Sequence, residues 1–103
     1  MFNIIARKTL LDYSRKYPSA ETALFEWYLE LANSDFGSFN DLKAVYGNAS
    51  LVGDDRVVFN ISGNKYRLIV RIVFEFKAIQ IKWFGTHKEY DNIDAALVNF
   101  KKE

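Results

Sequence analysis

The sequence predicts a single α+β domain in which helices cover one face of an antiparallel sheet. Three observations carry that reading. Apolar residues before position 50 recur at helical spacing, those from Arg56 to His87 alternate in the period of a strand, and helical spacing returns after Asp91. With 103 residues, a division into two cores would leave each too small to bury enough surface, so residues 1–103 are read as one domain. Half the residues are hydrophobic, and nine Phe, six Tyr and two Trp give so short a chain a large packing area.

The opening "MFNIIARK" has its apolar part before its basic part and is too short for a signal peptide or a spanning helix, so it is read as a first strand. "ARKTLLDYSRKYP" is a helix stopped by Pro18, the only proline, because the residue before a proline is steered out of the helical region. "SAETALFEWYLELANSD" follows, with Ser19 as N-cap, Glu21 at the positive end of the dipole, and Leu24, Trp27, Tyr28 and Leu31 on one face. A full capping box is absent there, since Thr22 stands three residues after Ser19. "NDLKAVYGNA" predicts a short helix with Asn40 as N-cap and Gly47 at its C-terminal end.

From Arg56 the run "RVVFNISGNKYRLIVRIVFEFKAIQIKWFGTH" is rich in β-branched and aromatic residues and predicts three strands. Gly63-Asn64 marks a two-residue hairpin, Gly supplying the positive φ that a type II′ turn demands. Lys77-Ala78 marks the second turn. The last segment, "DNIDAALVNFKKE", places Ile93, Ala96, Leu97 and Phe100 at helical spacing, with Asp91 as cap.

Composition excludes several chemistries. With no cysteine there is neither a disulfide framework nor a thiolate zinc site, and a single histidine rules out a His-rich metal centre. No metal or other cofactor is expected, and the absence of cysteine agrees with a cytoplasmic setting. The net charge of +1 hides a strong segregation: residues 21–55 carry seven acids against Lys43, and residues 56–88 carry seven bases against Glu75. Such asymmetry points to one surface made for a polyanion.

In the middle strand Tyr66, Leu68, Val70, Ile72, Phe74 and Phe76 point one way and are expected to meet the helices. Arg67 and Arg71 point the other way, joined by Arg56 and Asn60 from the strand before and by Gln80 and Lys82 from the strand after. That face carries cations with almost no compensating acids. An ordinary solvated sheet face would look similar. Beside it, "FGTHKEYDNI" holds the only histidine, His87, with Lys88 next to it and Tyr90 three residues on. An imidazole titrates near the working pH and serves as base, acid or phosphate donor, although a lone histidine is more often structural or merely exposed. Tyr46, Tyr90 and Trp83 are aromatic side chains able to stack on unpaired bases. No Ser-His-Asp arrangement or phosphate-cradling glycine loop can be assembled.

The stretches "DLKAVYGNA", "VVFNISGNKYRLI" and "FGTHKEYDNIDA" resemble the HigB-type toxins of bacterial type II toxin-antitoxin modules, mRNA interferases related in fold to RelE. The resemblance runs over nearly the whole chain and is most specific in T-H-x-E-Y-D, Thr86 to Asp91. It implies a small RelE-like domain, a twisted antiparallel sheet with N-terminal helices on one face and a C-terminal helix. It also implies cleavage of mRNA, commonly on the translating ribosome, and neutralisation by a cognate helix-turn-helix antitoxin through which alone operator DNA would be met. The positions that match are Asn64, Arg67, His87 and Tyr90. The reaction so implied is attack of a ribose 2′-hydroxyl on the adjacent phosphate without a metal, with His87, Arg67 and Tyr90 catalytic. Arg56, Asn64, Arg71, Lys82 and Lys88 would then bind RNA. The competing function class is a non-catalytic module that binds RNA, ribosome or antitoxin through the same basic face.

Overall fold

The computed structural model describes residues 1–5, 7–53, 55–96 and 98. The first strand, β1 (Asn3–Ile5), leads into α1 (Arg7–Lys16), a 3-10 turn (Pro18–Ala20), α2 (Glu21–Ala32) and α3 (Phe39–Val45). Four strands follow, β2 (Ser50–Val52), β3 (Arg56–Ile61), β4 (Tyr66–Val73) and β5 (Ala78–Thr86), and then the short helix α4 (His87–Tyr90). The sheet order is β1-β5-β4-β3-β2. β1 runs parallel to β5 and every other pairing is antiparallel, so the sheet is mixed. Connectivity permits the parallel pair: β1 and β5 are neighbours in the sheet but far apart in the chain, so no tight hairpin joins them. β2 was not expected from the sequence, because three residues ahead of Gly53, which takes φ of 68°, leave too short a run to show alternation.

The expected helical face of β4 is the core face. Tyr66, Leu68, Val70 and Ile72 are buried with Val57, Phe59 and Ile61 of β3 and with Leu24, Trp27 and Leu31 of α2. Phe84 closes the end of this core, its ring 5.3 Å from those of Tyr13 and Tyr66. Burial raises the Tyr13 phenol well above its ordinary value. Phe76, expected on the core face, is 75% exposed because β4 stops at Val73 and residues 74–77 form the turn, with Lys77 at φ 52°.

Several caps differ from expectation. Ser19 lies in the 3-10 turn and its hydroxyl bonds to that of Tyr66, so α2 starts after Ala20 without a side-chain cap. Ser38, not Asn40, caps α3 by accepting from the Asp41 N–H. Gly47 follows the C-cap Tyr46 without taking positive φ, and Lys43 donates to the carbonyls of Gly47 and Ala49 instead. The β3–β4 connection is a four-residue turn, 62–65, in which Ser62 (φ 56°) and Gly63 (φ 67°) both take the left-handed region. Asp91 ends α4 rather than starting a helix; residues 91–96 are turns and bends, and Leu97 and Phe100 lie outside the described residues.

Candidate active site

The site lies where the β3–β4 turn, the end of β5 and α4 converge. Thr86 is the Cα partner of Tyr66 and Gly85 that of Arg67, and the His87 N–H donates to the Lys65 carbonyl at 2.9 Å. Helix α4 is therefore tied directly to the hairpin. Its start is fixed by a capping box: Thr86 Oγ1 accepts from the Glu89 N–H at 3.1 Å, and Glu89 Oε1 accepts from the Thr86 N–H at 2.9 Å. T-x-x-E was legible in "THKE", but Thr86 and His87 had been read as the end of a strand.

Glu89 carries a second load. The Tyr17 hydroxyl donates to its Oε1 at 2.7 Å, which anchors α4 to the end of α1. The Thr86 backbone bond first, and the Tyr17 bond after it, hold the Glu89 carboxyl below the usual carboxylate range. Burial, and then the Glu89 bond, push the Tyr17 phenol up to about 12. A carboxyl whose folded pKa is depressed stabilises the fold above its unfolded value, near ~4.3, and loses that contribution as pH falls through the folded value. The gap in Tm between the native protein and Glu89→Gln should thus be widest above pH ~4.5 and close in more acidic buffer. Parallel melting curves across that range would show that the carboxylate does not hold α4.

Arg67 sits in the centre. Its Nη1 donates to the carbonyls of Asn64 and Tyr66, both at 3.2 Å, and its Nη2 donates to Asn64 Oδ1 at 3.1 Å. Its guanidinium carbon lies 5.9 Å from the centre of the Tyr90 ring. Tyr90 in turn lies 6.4 Å from Trp83, ring to ring. His87 is exposed and stands three residues before Tyr90, hence on the same side of α4. Lys88 is exposed beside it.

The other expected contacts fall elsewhere on the same sheet face. Arg56 and Arg71 are Cα partners, and Arg71 is four residues along β4 from Arg67, about 13 Å by strand rise. Arg56 Nη1 donates to the carbonyls of Ala95, at 3.1 Å, and Val98. Arg71 Nε donates to Asp55 at 2.5 Å, and its Nη1 reaches Gln80 Oε1 at 3.5 Å. These two guanidinium groups hold the chain's own segments. Lys82 is half-buried at an irregularity in β5, where Ile81 pairs with Val70 and Trp83 with Ile69, so that Lys82 faces no partner residue. The structure thus gathers Asn64, Arg67, His87, Lys88 and Tyr90 at one end of the face and sets Arg56 and Arg71 toward the other.

Gly85 is an ordinary strand residue that permits close approach. A Cβ there would lie 2.6 Å and 2.8 Å from two indole carbons of Trp83 and 2.9 Å from Glu89 Oε1. No three His, Asp or Glu side chains among the described residues gather as they would around a metal ion, and no described helix is long and apolar enough to cross a membrane.

Residues 20–93 match the family model described as HigB toxin, the RelE-like toxic component of a toxin-antitoxin system. The chain belongs to the HigB toxin family. The matched span runs from the start of α2 through α4 and contains the whole cluster around Arg67. Among relatives, the mRNA interferase toxin HigB of Escherichia coli K12 is 34% identical over 91 residues, covering 86% of this chain and 88% of that protein. The mRNA interferase HigB of Shigella flexneri shows the same identity and coverage. The mRNA interferase HigB of Escherichia coli O6:H1 is 27% identical over 93 residues, 88% of this chain and 90% of that protein. The α+β RelE-like fold that the resemblance implied is the fold observed, with the sheet mixed rather than wholly antiparallel.

Proposed function

We propose that this HigB-family chain is an mRNA interferase, an endoribonuclease that cuts mRNA on the translating ribosome by metal-independent transesterification in the cytoplasm. The observation that carries the reading is the Arg67 guanidinium, fixed by Asn64 and lying against Tyr90 at the base of the helix that begins with His87. In this reaction the ribose 2′-oxygen bonds to the adjacent phosphorus as its proton leaves. The bond to the 5′-oxygen breaks as that oxygen gains a proton, giving a 2′,3′-cyclic phosphate and a 5′-hydroxyl. Negative charge grows on the phosphorane, where a preorganised cation stabilises it most. Arg67 supplies that charge with its orientation already set, so little is lost to ordering when the phosphate arrives. His87 moves protons to and from the reacting oxygens, and Tyr90 orients or assists it.

Asn64, Lys82 and Lys88 contact flanking RNA. Arg56 and Arg71, engaged with backbone carbonyls and Asp55, contribute to the field of the face at longer range. The partner that neutralises this chemistry is a cognate helix-turn-helix antitoxin, and operator DNA is reached only through it. A carboxylate-rich antitoxin segment across the cationic face would gain both steering and blockade. Competition between antitoxin and a short single-stranded RNA for the free protein tests direct occlusion; simultaneous binding would place the antitoxin on the helical side.

RNA affinity should fall linearly on a log scale with log salt, and Lys82→Ala should flatten that slope by about one charge's worth. Arg56→Ala should flatten it less, since its donors are committed to Ala95 and Val98. A salt-independent affinity would remove the basic face from the reaction. Incubation with translating ribosomes decides the activity itself: cut message carrying 2′,3′-cyclic phosphate ends supports the proposal, and intact message leaves a binding module.

A further inference from the structure

We propose that Trp83 is the nucleobase platform of this site, stacking with Tyr90 nearby against the unpaired base that flanks the scissile phosphate; the assignment rests on the function proposed above. The first observation is the irregularity in β5. Ile79 and Ile81 point into the core, and strict alternation would send residue 83 after them. The unpaired Lys82 resets the alternation, so Phe84 enters the core and Trp83 does not. Such a bulge re-aims side chains, and this one places an indole on the cationic face.

The second observation is what surrounds that indole. It is half-buried and is not among the aromatic rings packed against the core. Gly85 leaves open the space that the far edge of the indole occupies over the strand, since any Cβ there would collide with it. Arg67 is opposite Gly85 and Trp83 is opposite Ile69, so Trp83 and Arg67 are diagonal neighbours, with backbones about 7–8 Å apart. The Tyr90 ring lies between these functions, 6.4 Å from Trp83 at 52° and 5.9 Å from the guanidinium.

The chemistry suits an unpaired base. Every base has a π-face, an indole offers a large one, and a cation one residue-pair away receives the phosphate of the same nucleotide. A base held there sets the distance from its ribose to Arg67 and His87. That makes Trp83 a binding determinant rather than a proton carrier.

The test uses the full chain and single-stranded oligoribonucleotides with a 2′-deoxy residue at the cleavage position, so that binding is read without turnover. One oligonucleotide carries a base beside that position and a second is abasic there. Trp83→Leu should weaken binding of the first by about five- to 150-fold and leave the abasic one unchanged. The slope of log affinity against log salt should not move, because stacking releases no counterions. Trp83→Phe should retain most of the affinity. Trp27 is 3% exposed in the core, so quenching of native tryptophan fluorescence by the base-bearing oligonucleotide reports Trp83. Equal losses with both oligonucleotides, or no loss with either, would overturn the assignment. Should Trp83→Leu fail to fold, Trp83→Phe and the native quench decide, and an unquenched native protein overturns it too. Failure of the nuclease proposal would show instead as uncut message alongside intact base-dependent binding.

Discussion

Replacing His87 by alanine is expected to slow cleavage by about 10²- to 10⁴-fold, the range for a positioned proton-transfer group, while leaving the thermal midpoint close to that of the native protein. The imidazole is exposed, and what ties residue 87 to the fold is its backbone N–H on the Lys65 carbonyl, a bond that alanine keeps. The helix start is held by Thr86 and Glu89, neither of which the substitution touches. RNA affinity and its salt slope should change little, since the fixed positive charge resides on Arg67 and the lysines. Tyr90→Phe should cost less than His87→Ala: the ring keeps its place beneath Arg67 and loses only its hydroxyl. The measurement is the rate of appearance of cut message with translating ribosomes, beside affinity for an uncleavable RNA. An undiminished rate in His87→Ala would make the chain's only histidine a bystander and pass proton transfer to Tyr90 or a lysine.

What the sequence disclosed and what it hid divide along a physical line. The core face of β4 was legible because its apolar residues recur at period two, Leu68, Val70 and Ile72 inward against Arg67 and Arg71, although Ile69 on the latter face is buried as well. α2 was legible for the same reason at period 3.6. Trp83 was named among the aromatics able to stack on unpaired bases, but the bulge that turns it onto this face was hidden, since one unpaired residue at Lys82 inverts every later position and leaves no local mark. Asp91 was misread because helix starts compete: Thr86 with Glu89 forms the capping box five residues earlier, and Thr86 and His87 were assigned to the strand. The commitments of Arg56 and Arg71 were invisible, because the carbonyls of Ala95 and Val98 and the Asp55 carboxylate reach them only through the path of the folded chain. The cationic segment was therefore readable as a charge count, whereas its partition into a cluster around Arg67 and a pair with structural partners is set only by the fold.

That partition is tested most sharply by two neighbours on β4. Leu68 is fully buried between the helices and the sheet, and Leu68→Ala should destabilise by about 2–5 kcal/mol, a large share of the roughly 5–15 kcal/mol that holds a typical domain together. Arg67, one residue away and on the opposite face, should show the reverse balance. Arg67→Ala removes the charge placed for the phosphorane and should lower the cleavage rate by about 10²- to 10³-fold, as for a single preorganised donor. Its bonds to Asn64 and Tyr66 staple an exposed turn to its own strand, so their loss should shift the melting midpoint only slightly. Arg67→Lys should restore the salt slope but not the full rate, because an ammonium group cannot reproduce the planar fork that Asn64 orients. Circular dichroism melts and cleavage rates on the same preparations decide the matter. If Arg67→Ala melts as early as Leu68→Ala, the guanidinium is a strut of the hairpin, and the charge at the reacting phosphate must be sought on Lys82 or Lys88.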